Sequence, residues 1–442
     1  MSNDSLAKTG LYAALFVALA TTGLVRAQAT YEQEPINYLA APAADPVARL
    51  QTRIASGEIK LERNDRNGYL DSVLRNLDIP ISSQSLVFSK TSFQRDHISP
   101  TNPRALYFDD ETYVGWVRGA DVIEVASTDP QLGPVFYTLD QKPPAKAGSP
   151  PTFIRQTHSC LQCHGGTMTR DIPGLLVRSV FPDRAGQPVL SAGTFLTTQS
   201  SPWSQRWGGW YVTGTHGSQR HMGNCVVADE SNPDQSLDRE SGANLTSLST
   251  RFDTAAWPSP HSDIVALLVL EHQAQMHNLL TRANYQARLA LRDQQAMNRA
   301  LGRPDAEPSD STKARIESAG EALVRCMLFA DEPVFEGEVV GTSTFADEFE
   351  ARGPRDAMGR SLRELDLKRR LFRYPCSYLI YSASFDALPA EMKDFVYRRL
   401  WQVLNEDDDA AGPYAHLKRS QRRAILQILA ETKKGLPDYW KP

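Results

Sequence analysis

The run Ile264-Val-Ala-Leu-Leu-Val-Leu270 is apolar at every position and opens a helical periodicity that continues to about Leu291. A helix that is apolar all round has to be enclosed all round, so the rest of the chain must be packed against it. Ser262-Asp263 stands before it and supplies the side-chain oxygens that cap a first turn. The texture of the sequence changes at this helix. Ahead of it, Ala105-Leu-Tyr-Phe, Thr112-Tyr-Val-Gly-Trp-Val, Val122-Ile-Glu-Val and Val135-Phe-Tyr-Thr-Leu are rich in β-formers and separated by Asp, Gly and Pro. Leu175 to Phe181 and Gly209 to Thr213 continue that pattern. Behind it, helices are expected over about Ser311–Phe329, Leu388–Leu404 and Ser420–Lys433, with a further one over Leu362–Tyr381 interrupted at Pro375.

The expected fold class is therefore α+β, a β-rich N-terminal domain with an antiparallel sheet followed by a mostly helical C-terminal domain. The expected boundaries are 69–235 for the β-rich domain, 236–258 for a polar linker and 259–442 for the helical domain. Residues 30–68 lack clear periodicity and read as a leader segment lying on the surface. With 442 residues, 41% of them hydrophobic, the chain has material for two or three domains with ordinary cores. A formal net charge of -4 gives no basic footprint for nucleic acid.

Residues 1–29 have the layout of a cleavable secretory signal. Lys8 precedes an apolar run from Leu11 to Val25, and Ala27-Gln28-Ala29 places small residues where a signal peptidase reads them. The expected location is the periplasm, with no membrane contact after cleavage.

Five cysteines, an odd number, do not make a simple disulfide framework. Two of them stand in Cys160-Leu161-Gln162-Cys163-His164. This spacing puts two thiols within reach of the two vinyl groups of one haem and an imidazole within reach of its iron. A zinc site would need two more ligands, and no second cysteine pair exists. A redox dithiol would want a strand before it and a helix after it, whereas Pro150-Pro151 and Gly165-Gly166 flank the motif.

On this motif the chain resembles the cytochrome c family. The resemblance implies one covalent haem c, with Cys160 and Cys163 as thioether cysteines and His164 as the proximal iron ligand. It covers little more than the motif and says almost nothing about the overall fold. The stretches Arg206-Trp-Gly-Gly-Trp-Tyr-Val-Thr-Gly-Thr-His and Arg373-Tyr-Pro-Cys-Ser-Tyr-Leu-Ile-Tyr-Ser resemble large, uncharacterised exported bacterial c-type cytochromes.

The sixth position of the iron separates carriers from enzymes and sensors. His158 and Met168 are too near His164 in sequence to pass round the haem edge. The distal candidates are His216 and His221 in the loop after the Trp-rich stretch, and His272 and Met276 on the long helix, with His272 preferred. Trp203, Trp207, Trp210 and Tyr211 are candidates for a haem pocket, and Arg155, Arg170, Arg206 and Arg220 for the propionates. The favoured function is electron transfer with a redox partner protein or a small-molecule donor or acceptor. The alternatives are a haem-c oxidoreductase with an open sixth position and a haem-based redox or gas sensor.

Overall fold

The computed structural model describes residues 29–143, 149–405 and 412–440, so the expected signal peptide lies outside the described residues but for Ala29. The fold is α+β, as the change of texture at Ile264 implies. Six strands follow one another in an antiparallel sheet: β1 Ser85–Val87, β2 Arg104–Phe108, β3 Thr112–Trp116, β4 Val122–Asp129, β5 Gly133–Asp140 and β6 Phe153–Arg155. The four β-rich stretches between Ala105 and Leu139 are β2 to β5. A small second sheet pairs β7 Arg178–Val180 with β8 Thr194–Leu196. The helices are α1 Pro46–Ala55, α2 Leu70–Asn76, α3 Leu161–His164, α4 Arg239–Gly242, α5 Ile264–Ala300, α6 Asp310–Met327, α7 Phe345–Ala351, α8 Ala383–Asp386, α9 Ala390–Asn405 and α10 Arg419–Thr432. Among the described residues no helix is long and apolar enough to cross a membrane.

The register of the large sheet decides what each face meets. Tyr113 opposes both Phe108 and Ala126, and Ala126 opposes Phe136, so these four side chains share one face. Tyr107, Val114, Val125 and Tyr137 point the other way. That second face is buried against Val47, Leu50 and Ile54 of α1 and Leu70, Val73 and Leu74 of α2. The segment from residue 30 to 68, expected to lie on the surface, therefore supplies part of a core. The start of its helix is capped by Asp45, which accepts from Val47 N–H at 2.9 Å, with Pro46 at the first helical position.

The first face is covered at its Phe108–Tyr113 end by α5. Gln273 donates to Tyr113 Oη at 2.7 Å, and His277 bonds Asp110 O at 2.9 Å. The opening of α5, from Ile264 to Leu270, is 4% exposed or less at every residue. Its core cluster joins Val87, Phe108 and Trp207 from the first half to Leu323, Phe372 and Ile425 from the second. The helix runs on to Ala300, beyond the end of its apolar periodicity, and stops at Gly302 in the left-handed conformation (φ +66°).

Two expected elements are replaced. The stretch Leu362–Tyr381 is mostly irregular, with one bridge between Leu365 and Phe372 and a short 3-10 turn at Tyr378–Tyr381. Gly209–Thr213 forms isolated bridges, Val87 to Trp210 and Thr213 to Asp263, instead of a strand in a sheet.

Candidate functional site

Cys160 precedes α3, and Cys163 and His164 form its end. The turn is closed by Cys163 N–H and His164 N–H donating to Cys160 O at 3.2 and 2.9 Å. Residues three apart on a turn of helix lie on one side, so both thiols face the same direction. Both are free; Cys160 is half-buried and Cys163 exposed.

The His164 ring is fixed from two sides. Nδ1 donates to Gly174 O at 2.8 Å, and Phe136 packs on the ring with centroids 4.7 Å apart. A carbonyl can only accept, so Nδ1 carries the proton and the lone pair stands on Nε2. Nε2 has no protein partner among the described residues. Burial holds the imidazole below its usual pKa, and the nearby Arg104 charge pushes the same way against the Gly174 bond, so the ring is neutral near pH 7. The loop that brings Gly174 round is itself clamped. Gly174 N–H donates to His164 O at 2.8 Å, and Asn278 on α5 bonds both Leu175 N–H at 2.7 Å and Leu175 O at 2.8 Å.

Cys160 adjoins the part of the first sheet face that α5 leaves uncovered. Burial and then the Glu124 carboxylate push its thiol up to about 11. Glu124 pairs with Arg104 at 2.6 Å, and Arg104 Nε is buried with no partner. The Arg104 guanidinium lies over Gly115, where a Cβ would meet it at 2.3 Å. Apolar side chains stand out around this surface. Ile154, on the same sheet face and six residues before Cys160, is 57% exposed. Phe93 is 72% exposed beside Ser92, whose hydroxyl bonds Glu124 at 3.2 Å.

These residues fit a covalently attached haem: two free thiols on one side of a turn, a neutral imidazole with a bare Nε2, and uncovered apolar side chains beside them. They fit the rival chemistries less well. A reactive dithiol needs a lowered thiol pKa, and Cys160 has a raised one. Among the described residues no three His, Cys, Asp or Glu are gathered so as to hold a metal ion. Sequence reasoning missed Phe136, Gly174 and the Arg104–Glu124 pair. Only Pro173-Gly174 left a signal, as a turn ten residues beyond His164.

The distal candidates are not brought to His164. His272 is fully buried, with Nδ1 bonded to Gln199 Oε1 and Nε2 to Ser377 Oγ at 2.8 Å, and it stacks on Phe329 at 4.4 Å. Both nitrogens are engaged by side chains, unlike Nε2 of His164. Met276 lies in the core; two residues along a helix is about 200°, so it faces away from the side on which Asn278 holds the Leu175 loop. His216 and His221 pack together with centroids 4.7 Å apart, against Trp203 and Trp207. His221 has neither nitrogen bonded, and burial pushes it down to about 3. This cluster is tied to α5 through the Arg206–Glu271 ion pair. Trp210 and Tyr211 bond Arg178 O and Pro100 O, each at 2.7 Å, and do not line the His164 site.

No protein-family model, no curated protein and no solved structure matches this chain.

Proposed function

We propose that this chain is an exported, periplasmic c-type cytochrome, carrying one haem on Cys160 and Cys163 with His164 as proximal ligand, and that it transfers electrons. The observation that carries the reading is the His164 ring, held at Nδ1 by the Gly174 carbonyl with Nε2 bare beside two free thiols. Metal-binding histidines are usually oriented in this way, by a hydrogen bond from the other ring nitrogen.

Each thiol would add across one vinyl group, the sulfur bonding one carbon and the thiol proton going to the other. When bound, the haem supplies one-electron exchange at its iron. The chain's own residues do the rest. The Gly174 carbonyl fixes the tautomer and raises the basicity of Nε2. Phe136 limits rotation of the ring, and Ile154 and Phe93 offer apolar contact. Cys163 is exposed, so one thioether edge would lie at the surface, where a redox partner protein or a small-molecule donor or acceptor can approach.

A second reading, a haem-c oxidoreductase with an open sixth position, is favoured by one observation: His272, Met276, His216 and His221 all lie away from His164.

The test is Cys160→Ala with Cys163→Ala, made in a host that attaches haem c. The double variant is expected to lose all haem on acid–acetone extraction while the wild type keeps about one per chain, as one CxxCH motif implies. Full retention by the double variant contradicts the reading. The ferric wild-type spectrum separates the two functions: low-spin iron supports the carrier, and high-spin iron that binds added ligands supports the oxidoreductase.

A further inference from the structure

The edge of a β-sheet is a row of unpaired N–H and C=O groups, which a folded chain satisfies or screens. The large sheet is satisfied at both ends. At β1, Leu86 N–H donates to Ser262 Oγ and Leu86 O accepts from Tyr211 N–H, each at 2.9 Å. At β6, Phe153 N–H donates to Gln51 Oε1 at 2.7 Å. The small sheet has its β7 side occupied as well. Val180 N–H donates to Gly208 O at 2.9 Å, and Trp210 Nε1 to Arg178 O at 2.7 Å.

The outer side of β8 is different. Thr197 N–H donates to Val177 O at 2.8 Å, so Thr197 and, two residues before it, Phe195 turn their backbone groups toward β7. Thr194 and Leu196 alternate with them and turn theirs outward, where their N–H and C=O groups bond no described residue. The strand is nevertheless held in place, because Phe195 packs on Phe181 with ring centroids 6.0 Å apart. Leu196 is 39% exposed, and Leu190, in the 3-10 turn that leads into the strand, is 84% exposed.

The usual protection of an open edge is a lysine, another charge or a proline. β8 has none of these. From Ala185 to Gln205 there is no Asp, Glu, Lys or Arg, in a chain of which 23% of residues are charged. A charged edge repels its own copy, and this one does not.

The outward groups are also self-complementary. Two copies of β8 set antiparallel about a two-fold axis at Phe195 place Thr194 opposite the partner's Leu196, and Leu196 opposite the partner's Thr194. Each opposed pair can exchange both of its N–H···O bonds, so all the outward groups of the two strands are used. The β7 side of each copy is already occupied, so the pairing closes at two chains and cannot grow into a fibre.

We propose that this chain pairs with a second copy through β8, joining the two small sheets into one four-stranded antiparallel sheet. The proposal is independent of the haem reading. A three-residue edge makes a small interface, so the dimer is weak and forms at high protein concentration, about 0.1 mM.

The experiment is sedimentation equilibrium of the full chain over rising concentration. The wild-type mass is expected to climb toward twice that of the monomer. Thr194→Lys with Leu196→Lys sets like charges directly across the pair and is expected to weaken association about tenfold or more. Thr194→Glu with Leu196→Glu is expected to do the same. An equal mixture of the two variants is expected to recover the dimer, because each lysine then faces a glutamate. Thr194 and Leu196 are exposed, so folding is expected to survive, and circular dichroism checks it. Should a double variant not fold, Leu196→Lys and Leu196→Glu alone take its place. A wild type that stays monomeric overturns the proposal and leaves the edge to a strand of another protein. A lysine variant that associates as the wild type does places the interface elsewhere. A mixture that stays monomeric shows that the two edges do not face each other, and both of these results overturn the proposal.

Discussion

At His272 a residue that is conspicuous in sequence has a structural task. Its place on an apolar helix face was legible, because the spacing of Leu268, His272 and Met276 fixes it. Its partners were not, since Gln199 and Ser377 lie 73 and 105 residues away in the chain. Local sequence carries no signal for which distant amide or hydroxyl will meet a buried imidazole. The proposed role of the CxxCH residues is the opposite case, because it depends on neighbours within five positions. His272→Ala is expected to leave the ferric spectrum of the loaded protein unchanged and to lower stability by about 3 kcal/mol, through a cavity and two unpaired polar groups. A shift in the ferric electron paramagnetic resonance spectrum would return His272 to the iron. Burial, with a smaller push from His277, lowers the His272 pKa to about 3. The unfolded chain takes up this proton below about 6.5, the folded chain only near 3, so this contribution is full above 6.5 and is lost as pH falls through that window. Glu271 and Asp109, both pushed up to about 7 by burial, act in the opposite direction. The wild-type slope therefore mixes terms, and the variant isolates one. From about pH 7 to about pH 5, His272→Gln is expected to lose less stability than wild type in denaturant unfolding. Parallel profiles would show that His272 has no such linkage.

Among the elements, α5 was the most legible and Asp263 shows both how far that reading reaches and where it ends. The cap at Ser262-Asp263 was visible, and Asp263 Oδ1 accepts from Val265 N–H at 2.8 Å. Its second oxygen has a task that no local pattern reveals: it accepts from Thr342 N–H, Ser343 N–H and Ser343 Oγ, at 2.8, 2.7 and 2.8 Å. Asp263→Ala is thus expected to cost more than an ordinary cap, about 2 kcal/mol or above, whereas Asp263→Asn should keep part of it. Urea unfolding of both variants measures this, and an Asp263→Asn variant as stable as wild type would show that the carboxylate charge and its second oxygen matter little. The helix α1 was missed although its signals are present, with Asp45-Pro46 at the start and Val47, Leu50 and Ile54 spaced as one face. Its polar residues, and the irregular chain on either side, hid a periodicity only ten residues long. Leu362–Tyr381 failed in the other direction. Its apolar residues Leu371, Phe372, Tyr378 and Leu379 are buried as a helix would bury them, but through an irregular loop, with Phe372 against His272 of α5 and Phe349 of α7.

Across the whole molecule, the division into strands first and helices second held because an all-apolar helix obliges both halves to meet around it. The location of the site did not follow from that division. The turn bearing Cys160, Cys163 and His164 lies between the sheet face that carries the buried Phe136 and the exposed Ile154 and the flank of α5 marked by Asn278. That corner depends on sheet register and on which side of a helix faces a distant loop, neither of which is written near the motif. The proposed attachment of haem can be tested at this scale in one step. Intact mass spectrometry of the exported wild-type protein, after acid–acetone extraction, is expected to give the mass of the polypeptide from about Thr30 onward plus one haem. A mass equal to the bare polypeptide, from cells that attach haem to known c-type cytochromes, would contradict the central claim.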